Sequence, residues 1–110
     1  MYFVTLDDFY EKAAAVPPRC RESELLWAKE MKDGSADARE KLIQSYLPMA
    51  ASAIRHSPAN LQSLSFVYEC VTELGRQVDH FNFFQEGETF THRLSWALRQ
   101  ALVRHIANTP

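Results

Sequence analysis

The clearest pattern in the chain is a helical repeat of apolar residues between positions 61 and 81. The spacing alternates between three and four residues, which places the side chains on one face of an α-helix. The members of this stripe are Leu64, Val67, Val71, Leu74, Val78 and Phe81. The pattern therefore predicts a helix over residues 61–81 whose apolar face lies in a core.

Similar but weaker patterns predict four more helices. Two prolines, Pro17 and Pro18, end the first, because neither can continue the hydrogen-bond ladder. Asp33-Gly34 ends the second, and Pro48 lies inside the third, where we expect it to kink the helix or cost one hydrogen bond. In chain order the four helices cover about residues 5–15, 22–32, 35–57 and 91–107.

Together these segments predict an all-α fold, a compact bundle of four to five helices. At 110 residues the chain is long enough for one core, so we expect a single domain over residues 1–110. Within it, residues 1–20 would form an N-terminal helix with a proline-rich connector, and residues 22–107 would form the bundle.

Cysteine usage and hydropathy bear on the compartment. Cys20 and Cys70 lie fifty positions apart and form no metal or redox motif. Such cysteines are typical of reduced thiols, so we expect a cytoplasmic protein. The longest uncharged stretch, residues 42–54, is too short and too polar to span a membrane. We therefore expect no membrane partner.

Charge is unevenly distributed along the chain. Residues 89–110 contain Arg93, Arg99 and Arg104 and no acid, whereas all fourteen acidic residues lie in residues 1–88. With nine Lys and Arg, the first part carries a net charge of −5, and the tail carries +3. Because the tail is also predicted to be helical, its clustered positive charge suits a polyanion.

One face of that last helix combines several kinds of side chain. At 100° per residue, one side of this helix carries Arg93, Trp96, Gln100, Val103 and Arg104. Along the helix, an aromatic ring thus lies between two arginines, with an amide beside it. Such a face can pair with phosphates, hydrogen-bond a base edge and stack on an unpaired base. The alternatives are an ordinary solvated surface and a tryptophan that simply packs.

The sequence lacks the motifs of catalysis and metal binding. It contains no glycine-rich phosphate loop, no nucleophile elbow and no coupled pair of carboxylates. Its four histidines have no paired ligand spacing, which argues against a metal site. We therefore expect neither an enzyme nor a cofactor.

Three stretches in order carry a family resemblance. They are residues 34–43 with Tyr46-Leu47-Pro48-Met49, then Ser65-Phe66-Val67-Tyr68-Glu69-Cys70, and then Phe90-Thr91 followed by Ser95-Trp96-Ala97-Leu98-Arg99-Gln100-Ala101-Leu102. They resemble region 2 of bacterial RNA polymerase sigma factors. The last stretch is the most specific of the three, and it is similar to the helix that melts and reads the promoter's minus-ten element.

The resemblance implies two working surfaces and two partners. The fourth predicted helix would dock against a coiled coil in the largest subunit of the RNA polymerase core. The residues expected there are Tyr68, Glu69, Glu73 and Arg76. The fifth would capture promoter DNA, preferentially the single-stranded non-template strand. The residues expected there are Phe90, Arg93, Trp96, Gln100 and Arg104.

The chain also departs from the family pattern. Ser65 and Tyr68 replace the acid and the amide that usually accompany Glu69, and Arg93 and Ala97 stand where principal sigma factors carry aromatics. These differences leave a second interpretation open, a sigma-like protein-interaction module that regulates transcription without opening DNA. Its partner would be the polymerase or an anti-sigma-type regulator. A third alternative is a plain helical domain with no nucleic-acid partner.

Overall fold

The computed structural model describes residues 2–108, and these are helical throughout apart from their connections. The elements are α1 (Leu6–Ala14), α2 (Arg21–Lys32), α3 (Ala36–Ser45), α4 (Leu47–Arg55), a 3₁₀ turn (Ala59–Leu61), α5 (Leu64–His80) and α6 (Phe90–Ala107). The predicted all-α bundle is confirmed. Each of the five predicted helical segments is present, the third of them in two parts. No helix in residues 2–108 is long and apolar enough to cross a bilayer.

Side-chain caps fix where four of these helices begin. The side-chain oxygens of Thr5, Ser35, Ser63 and Thr89 each accept a hydrogen bond from the backbone N–H three residues later. Such a bond satisfies one of the backbone donors that a helix start leaves unpaired. Because Ser63 caps α5, this helix begins at Leu64, three residues later than the apolar pattern predicted.

The predicted third helix is divided at Tyr46, which ends α3 and precedes α4. Its backbone angles, φ −103° and ψ 3°, are outside the helical range. Pro48 follows in the first turn of α4, where its missing N–H costs no intrahelical hydrogen bond. The expected kink is therefore a complete break. It turns the Tyr46 side chain into the core, where it is 2% exposed.

Helix α5 is the central element of the bundle, and α1, α3, α4 and α6 all pack against it. Val67, Leu74 and Val78, from the predicted apolar stripe, are completely buried. The other three members, Leu64, Val71 and Phe81, are partly buried against the same core. The stripe predicted from spacing alone is thus the side of α5 that faces the other helices.

An aromatic cluster fixes the beginning of α6. The Phe90 ring lies 4.7 Å from Tyr46, 5.2 Å from Phe81 and 5.0 Å from Phe83, measured between centroids. The first two contacts are edge-to-face, an arrangement that contributes about 0.5–1.5 kcal/mol beyond burial. The cluster therefore anchors both the α5–α6 loop and the first turn of α6 to the junction of α3 and α4.

The N-terminal segment also contributes to the core. Phe3 is 1% exposed and lies between Phe9, at a centroid distance of 5.0 Å, and Tyr68 of α5, at 6.2 Å. The Tyr68 hydroxyl accepts a hydrogen bond from the Phe3 N–H at 3.1 Å and donates one to the Phe3 carbonyl at 2.9 Å. Residues 2–14 therefore close one side of the bundle.

Candidate functional site on helices α5 and α6

Helix α6 presents most of the residues predicted to bind DNA on one exposed face. Trp96 is 55% exposed, and the side chains of Arg93 and Arg104 are 42% and 54% exposed. Gln100 is partly exposed. Because a helix turns by about 100° per residue, these four residues lie within roughly a quarter turn of one another. The structure therefore places a ring, an amide and two guanidinium groups side by side.

Phe90 does not lie on this face, and the expectation that it faces DNA is wrong. It is 2% exposed at the centre of the aromatic cluster described above. The sequence held a signal for this, since Phe90, Leu94 and Leu98 are spaced by four residues and all three are buried. Phe90 therefore supports the face by holding the start of α6 and does not form part of it.

Both arginines on this face already pair with acids. The Arg93 Nε donates to the Glu88 Oε1 at 2.9 Å, and the Arg104 Nη2 lies 3.6 Å from the Glu73 Oε2. Glu88 comes from the preceding loop and Glu73 from α5. The positive charge that the sequence assigned to the tail is therefore partly neutralised by residues outside it.

The exposed face of α5 carries two of the residues predicted to dock on the polymerase. The side chains of Glu69 and Arg76 are 42% and 62% exposed. They lie two helical turns apart, in line with exposed Ser65 and Thr72. This spacing of four, three and four residues places all of them on one side of the helix.

Glu73 is not part of that exposed face, and the expectation that it lies against a partner is wrong. Its residue exposure is 6%. The carboxylate accepts a hydrogen bond from the Gln77 Nε2 at 3.1 Å and lies 3.5 Å from the Arg76 Nη1. A buried carboxylate is tolerated when it is paired and hydrogen-bonded, and Arg104 completes this arrangement from α6.

Tyr68 is only partly exposed, and the structure gives it a role that the sequence did not predict. Its hydroxyl makes both of its hydrogen bonds to the backbone of Phe3. The expectation that it lies on an open docking surface is therefore corrected, because the hydroxyl is used inside the molecule. Only the remaining exposed part of the ring could meet a partner beside Glu69.

The two candidate surfaces are joined by contacts between α5 and α6. The His105 Nδ1 lies 3.0 Å from the Glu69 Oε1, and the His105 ring lies 4.9 Å from the Phe66 ring. Arg104, the next residue back, lies against Glu73. Glu69 of α5 and Arg104 of α6 thus each have a partner on the other helix. Sequence reasoning missed this link, because the paired residues lie more than thirty positions apart.

Sequence reasoning also missed two arginines where the connector meets α2. The Arg19 guanidinium lies 4.3 Å from the centre of the Tyr46 ring, and the Arg21 Nη2 donates to the Phe83 carbonyl at 3.2 Å. Both line a cleft of about 510 Å³ beside the start of α6. Within residues 2–108, no group of three His, Cys, Asp or Glu side chains could hold a metal ion.

The comparison with known proteins supports the resemblance seen in the sequence. The helical fold and the similarity together support a divergent sigma-factor-like domain. The chain is 29% identical over 110 residues to the RNA polymerase sigma factor SigA of Clostridium acetobutylicum. The match covers 96% of this chain and 29% of that relative. No family model matches the chain.

Proposed function

We propose that this domain binds the RNA polymerase core through α5 and the single-stranded non-template strand of a minus-ten element through α6. The observation that carries the proposal is the exposed Trp96 flanked by Arg93, Gln100 and Arg104 on one helical face. The similarity to a sigma factor over almost the whole chain supports it. The domain would act in the cytoplasm as a binding module without catalysis.

Each side chain of the α6 face has a distinct task in this proposal. Trp96 stacks on an unpaired base, an interaction that contributes about 1–3 kcal/mol. Arg93 and Arg104 pair with phosphates, which positions the strand without reading its sequence. Gln100 offers both an amide donor and an acceptor to a base edge. Phe90 holds the first turn of α6 in place from the buried aromatic cluster.

On α5, the proposed contact with the polymerase consists of opposite charges two turns apart. Glu69 would accept hydrogen bonds from a basic side chain on the coiled coil of the largest subunit, and Arg76 would donate hydrogen bonds to an acidic side chain there. Both side chains are exposed in the free domain. Docking through Glu69 would compete with its pairing to His105, so the contact also affects how α6 is held.

The DNA half is tested by fluorescence anisotropy with a labelled minus-ten strand. Trp96→Ala should lower affinity by about 1–3 kcal/mol, the loss of one stacked base. Arg104→Ala should lower it for all sequences and reduce the slope of log affinity against log salt by about 0.7. Phe84→Ala is the matched control, because Phe84 is a 50% exposed aromatic residue away from α6. Equal affinities for wild type and Trp96→Ala would refute the DNA half.

The polymerase half is tested by retention of purified core enzyme on the immobilised domain. Glu69→Lys should abolish retention, whereas Glu22→Lys, a change of an exposed acid on α2, should not. His105→Ala is a second control. It breaks the pair with Glu69 but leaves Glu69 in place, so it should not abolish retention. If wild type retains no core enzyme, the docking proposal is wrong.

A second candidate function is favoured by the ion pairs on α6. Since Arg93 and Arg104 already face acids and Phe90 is buried, the face has less to offer a melted strand than its sequence indicated. The domain would then be a sigma-like protein-interaction module that regulates transcription without opening DNA. Retention of core polymerase or an anti-sigma-type regulator, with no affinity for minus-ten single strands, would favour this function.

A further inference from the structure

Helix α6 also exposes side chains that the proposed DNA contacts do not use. Val103 is 55% exposed and Ile106 is 50% exposed, and Arg99 is exposed one turn before Val103. At 100° per residue, Arg99 and Ile106 lie on the opposite flank of Trp96 from Arg93 and Arg104. Two branched aliphatic side chains in water at the end of one helix form an apolar ridge.

Beside this ridge, an open groove of about 370 Å³ lies between α4 and α6. Phe66 of α5 lines it together with Met49, Ala53, Leu98 and Leu102, so the groove is mainly apolar. Arg99 and His56 are also among its lining residues, and none of the lining residues is an acid. The groove and the ridge, which Arg99 joins, together form one surface with an apolar centre and a cationic edge.

The spacing of the exposed residues indicates what shape would cover them. Arg99, Val103 and Ile106 follow one another by four and three residues, as the inward positions of a coiled coil do. Amphipathic helices recognised in grooves present anchors at this same spacing. The ridge and the groove run along α6, so a second helix laid beside it would bury both.

The charge of α6 indicates which kind of helix would bind beside it. Residues 89–108 contain three arginines and no acid, so pairing α6 with the same helix of a second copy would bring like charges together. An acidic helix would instead place a carboxylate opposite Arg99. Single-stranded DNA fits less well, because Val103 and Ile106 offer neither a ring for stacking nor a donor for a phosphate.

We propose that the groove between α4 and α6, with the ridge formed by Val103 and Ile106, binds an amphipathic helix of another protein that carries acidic residues beside its apolar stripe. The ridge supplies apolar anchors and Arg99 supplies charge selectivity. Arg99 and Ile106 lie on the flank away from Arg93 and Arg104, whereas Val103 lies two turns beyond Trp96 on nearly the same line of the helix. The bound helix would therefore adjoin the proposed DNA contacts at Trp96.

The test uses two synthetic helical peptides of about three heptads, with leucine at the inward positions. One carries glutamate at the flanking positions and the other carries lysine, and binding to the whole domain is followed by anisotropy. We expect the wild type to prefer the glutamate peptide by about three- to tenfold, because one exposed charge pair contributes up to about 1 kcal/mol and the lysine peptide adds a repulsion of similar size. Arg99→Glu should reverse that preference.

The apolar part of the site is tested with the glutamate peptide. Val103→Asp and Ile106→Asp should each weaken binding about tenfold, since each removes a buried aliphatic anchor. Leu26→Asp, a change of a 54% exposed leucine on α2, should have no effect. The proposal is overturned if neither peptide binds, if both bind equally, or if Leu26→Asp weakens binding as much as the two α6 variants.

Two further measurements separate this site from the proposed DNA contacts. Arg104→Ala should weaken single-stranded DNA binding and leave peptide binding unchanged. Val103→Ala and Ile106→Ala remove the aliphatic side chains without adding charge; if they weaken binding of a minus-ten strand as strongly as they weaken binding of the glutamate peptide, the surface belongs to DNA and the inference fails. If the wild type binds the glutamate peptide but no DNA strand, the DNA proposal fails alone.

Discussion

The two cysteines show how local surroundings set the behaviour of one residue type. Burial raises the pKa of the Cys70 thiol to about 12, with Glu69 and Glu73 adding to the effect. At exposed Cys20, hydrogen bonds from the backbone N–H groups of Ser23 and Glu22 hold the pKa below its ordinary value of 9.0. Because the thiolate is the nucleophile, iodoacetamide should alkylate Cys20 in the native protein and Cys70 only after unfolding.

Mass spectrometry of the labelled peptides checks this directly. Cys20→Ser is the control, and it should take up no label until denaturant unfolds the chain. Native labelling of Cys70 at a rate comparable to Cys20 would contradict the burial that the structure shows for α5.

Glu73 allows a functional prediction about a single carboxylate. It lies 3.6 Å from Arg104, whose side chain is 54% exposed. Glu73→Gln keeps a similar shape and an acceptor for Gln77 but removes the charge that competes with a phosphate. Partly exposed pairs contribute about 0.2–1 kcal/mol, so the affinity for single-stranded DNA should rise up to about fivefold, as measured by anisotropy. Glu22→Gln removes a remote exposed acid, and an equal rise there would point to net charge alone.

At the scale of the helices, the break between α3 and α4 can be tested through Pro48. Since Pro48 lies in the first turn of α4, its ring costs no hydrogen bond and restricts the unfolded chain. Pro48→Ala should therefore lower the free energy of unfolding by about 0.4–1 kcal/mol. Urea denaturation followed by circular dichroism measures this. A gain in stability would indicate that the proline interrupts one continuous helix.

Ala53→Pro is the matched comparison. Ala53 is exposed near the end of the same helix, so the substitution changes the backbone without disturbing the core. Loss of an interior hydrogen bond and a clash with the preceding turn should cost about 3 kcal/mol. If both substitutions changed the free energy of unfolding by the same amount, proline would be no better tolerated at the start of α4 than in its interior.

Helices α3 and α5 are joined by an ion pair whose arginine side chain passes over Gly75 of α5. The Arg39 Nε and Nη2 donate to the two Asp79 carboxylate oxygens at 2.6 Å and 3.0 Å. A Cβ at Gly75 would lie 3.0 Å from the Arg39 Nη2, so the absence of a side chain there lets the arginine pass. These hydrogen bonds hold the pKa of Asp79 below its ordinary value of 3.8.

This pair predicts a small acid-dependent component of stability. A lowered pKa means that the stabilisation is fully present above pH 3.8 and is lost as the pH falls through the lower, folded-state value. Because both side chains are more than a third exposed, the component should be below about 1 kcal/mol. In thermal melts, Arg39→Ala should reduce the drop in stability below about pH 4. Lys29→Ala, which removes an exposed cation from α2, should leave the drop unchanged.

At the scale of the whole molecule, the helices could be predicted from local repeats in the sequence. Which side chains are exposed on the surfaces depends instead on contacts between distant segments. The stripe on α5 and the position of α6 followed from spacing, since a helical face depends only on near neighbours in the chain. The burial of Glu73 and the pairing of Arg104 did not follow, because an acid among apolar residues is stable only with partners that folding supplies. The same holds for Tyr68, whose hydrogen-bonding partner lies 65 positions away.

That distant partner makes Tyr68 the test of how the N-terminal segment is held. Tyr68→Phe leaves the Phe3 N–H and carbonyl without the hydroxyl that pairs both of them. Since Phe3 is 1% exposed, losing this partner should cost about 1–3 kcal/mol in the free energy of unfolding. Hydrogen exchange at the Phe3 amide should also accelerate. Tyr2→Phe, a change of a 70% exposed tyrosine next to Phe3, is the control.

The same variant separates two roles of Tyr68. If the hydroxyl serves only the interior, Tyr68→Phe should lower the free energy of unfolding. At a temperature where both proteins are folded, the variant should still retain core polymerase as wild type does. Unchanged stability with reduced retention would instead assign the hydroxyl to the docking surface beside Glu69. In that outcome, a hydroxyl that donates to the polymerase would have to release the Phe3 carbonyl, because it carries a single hydrogen.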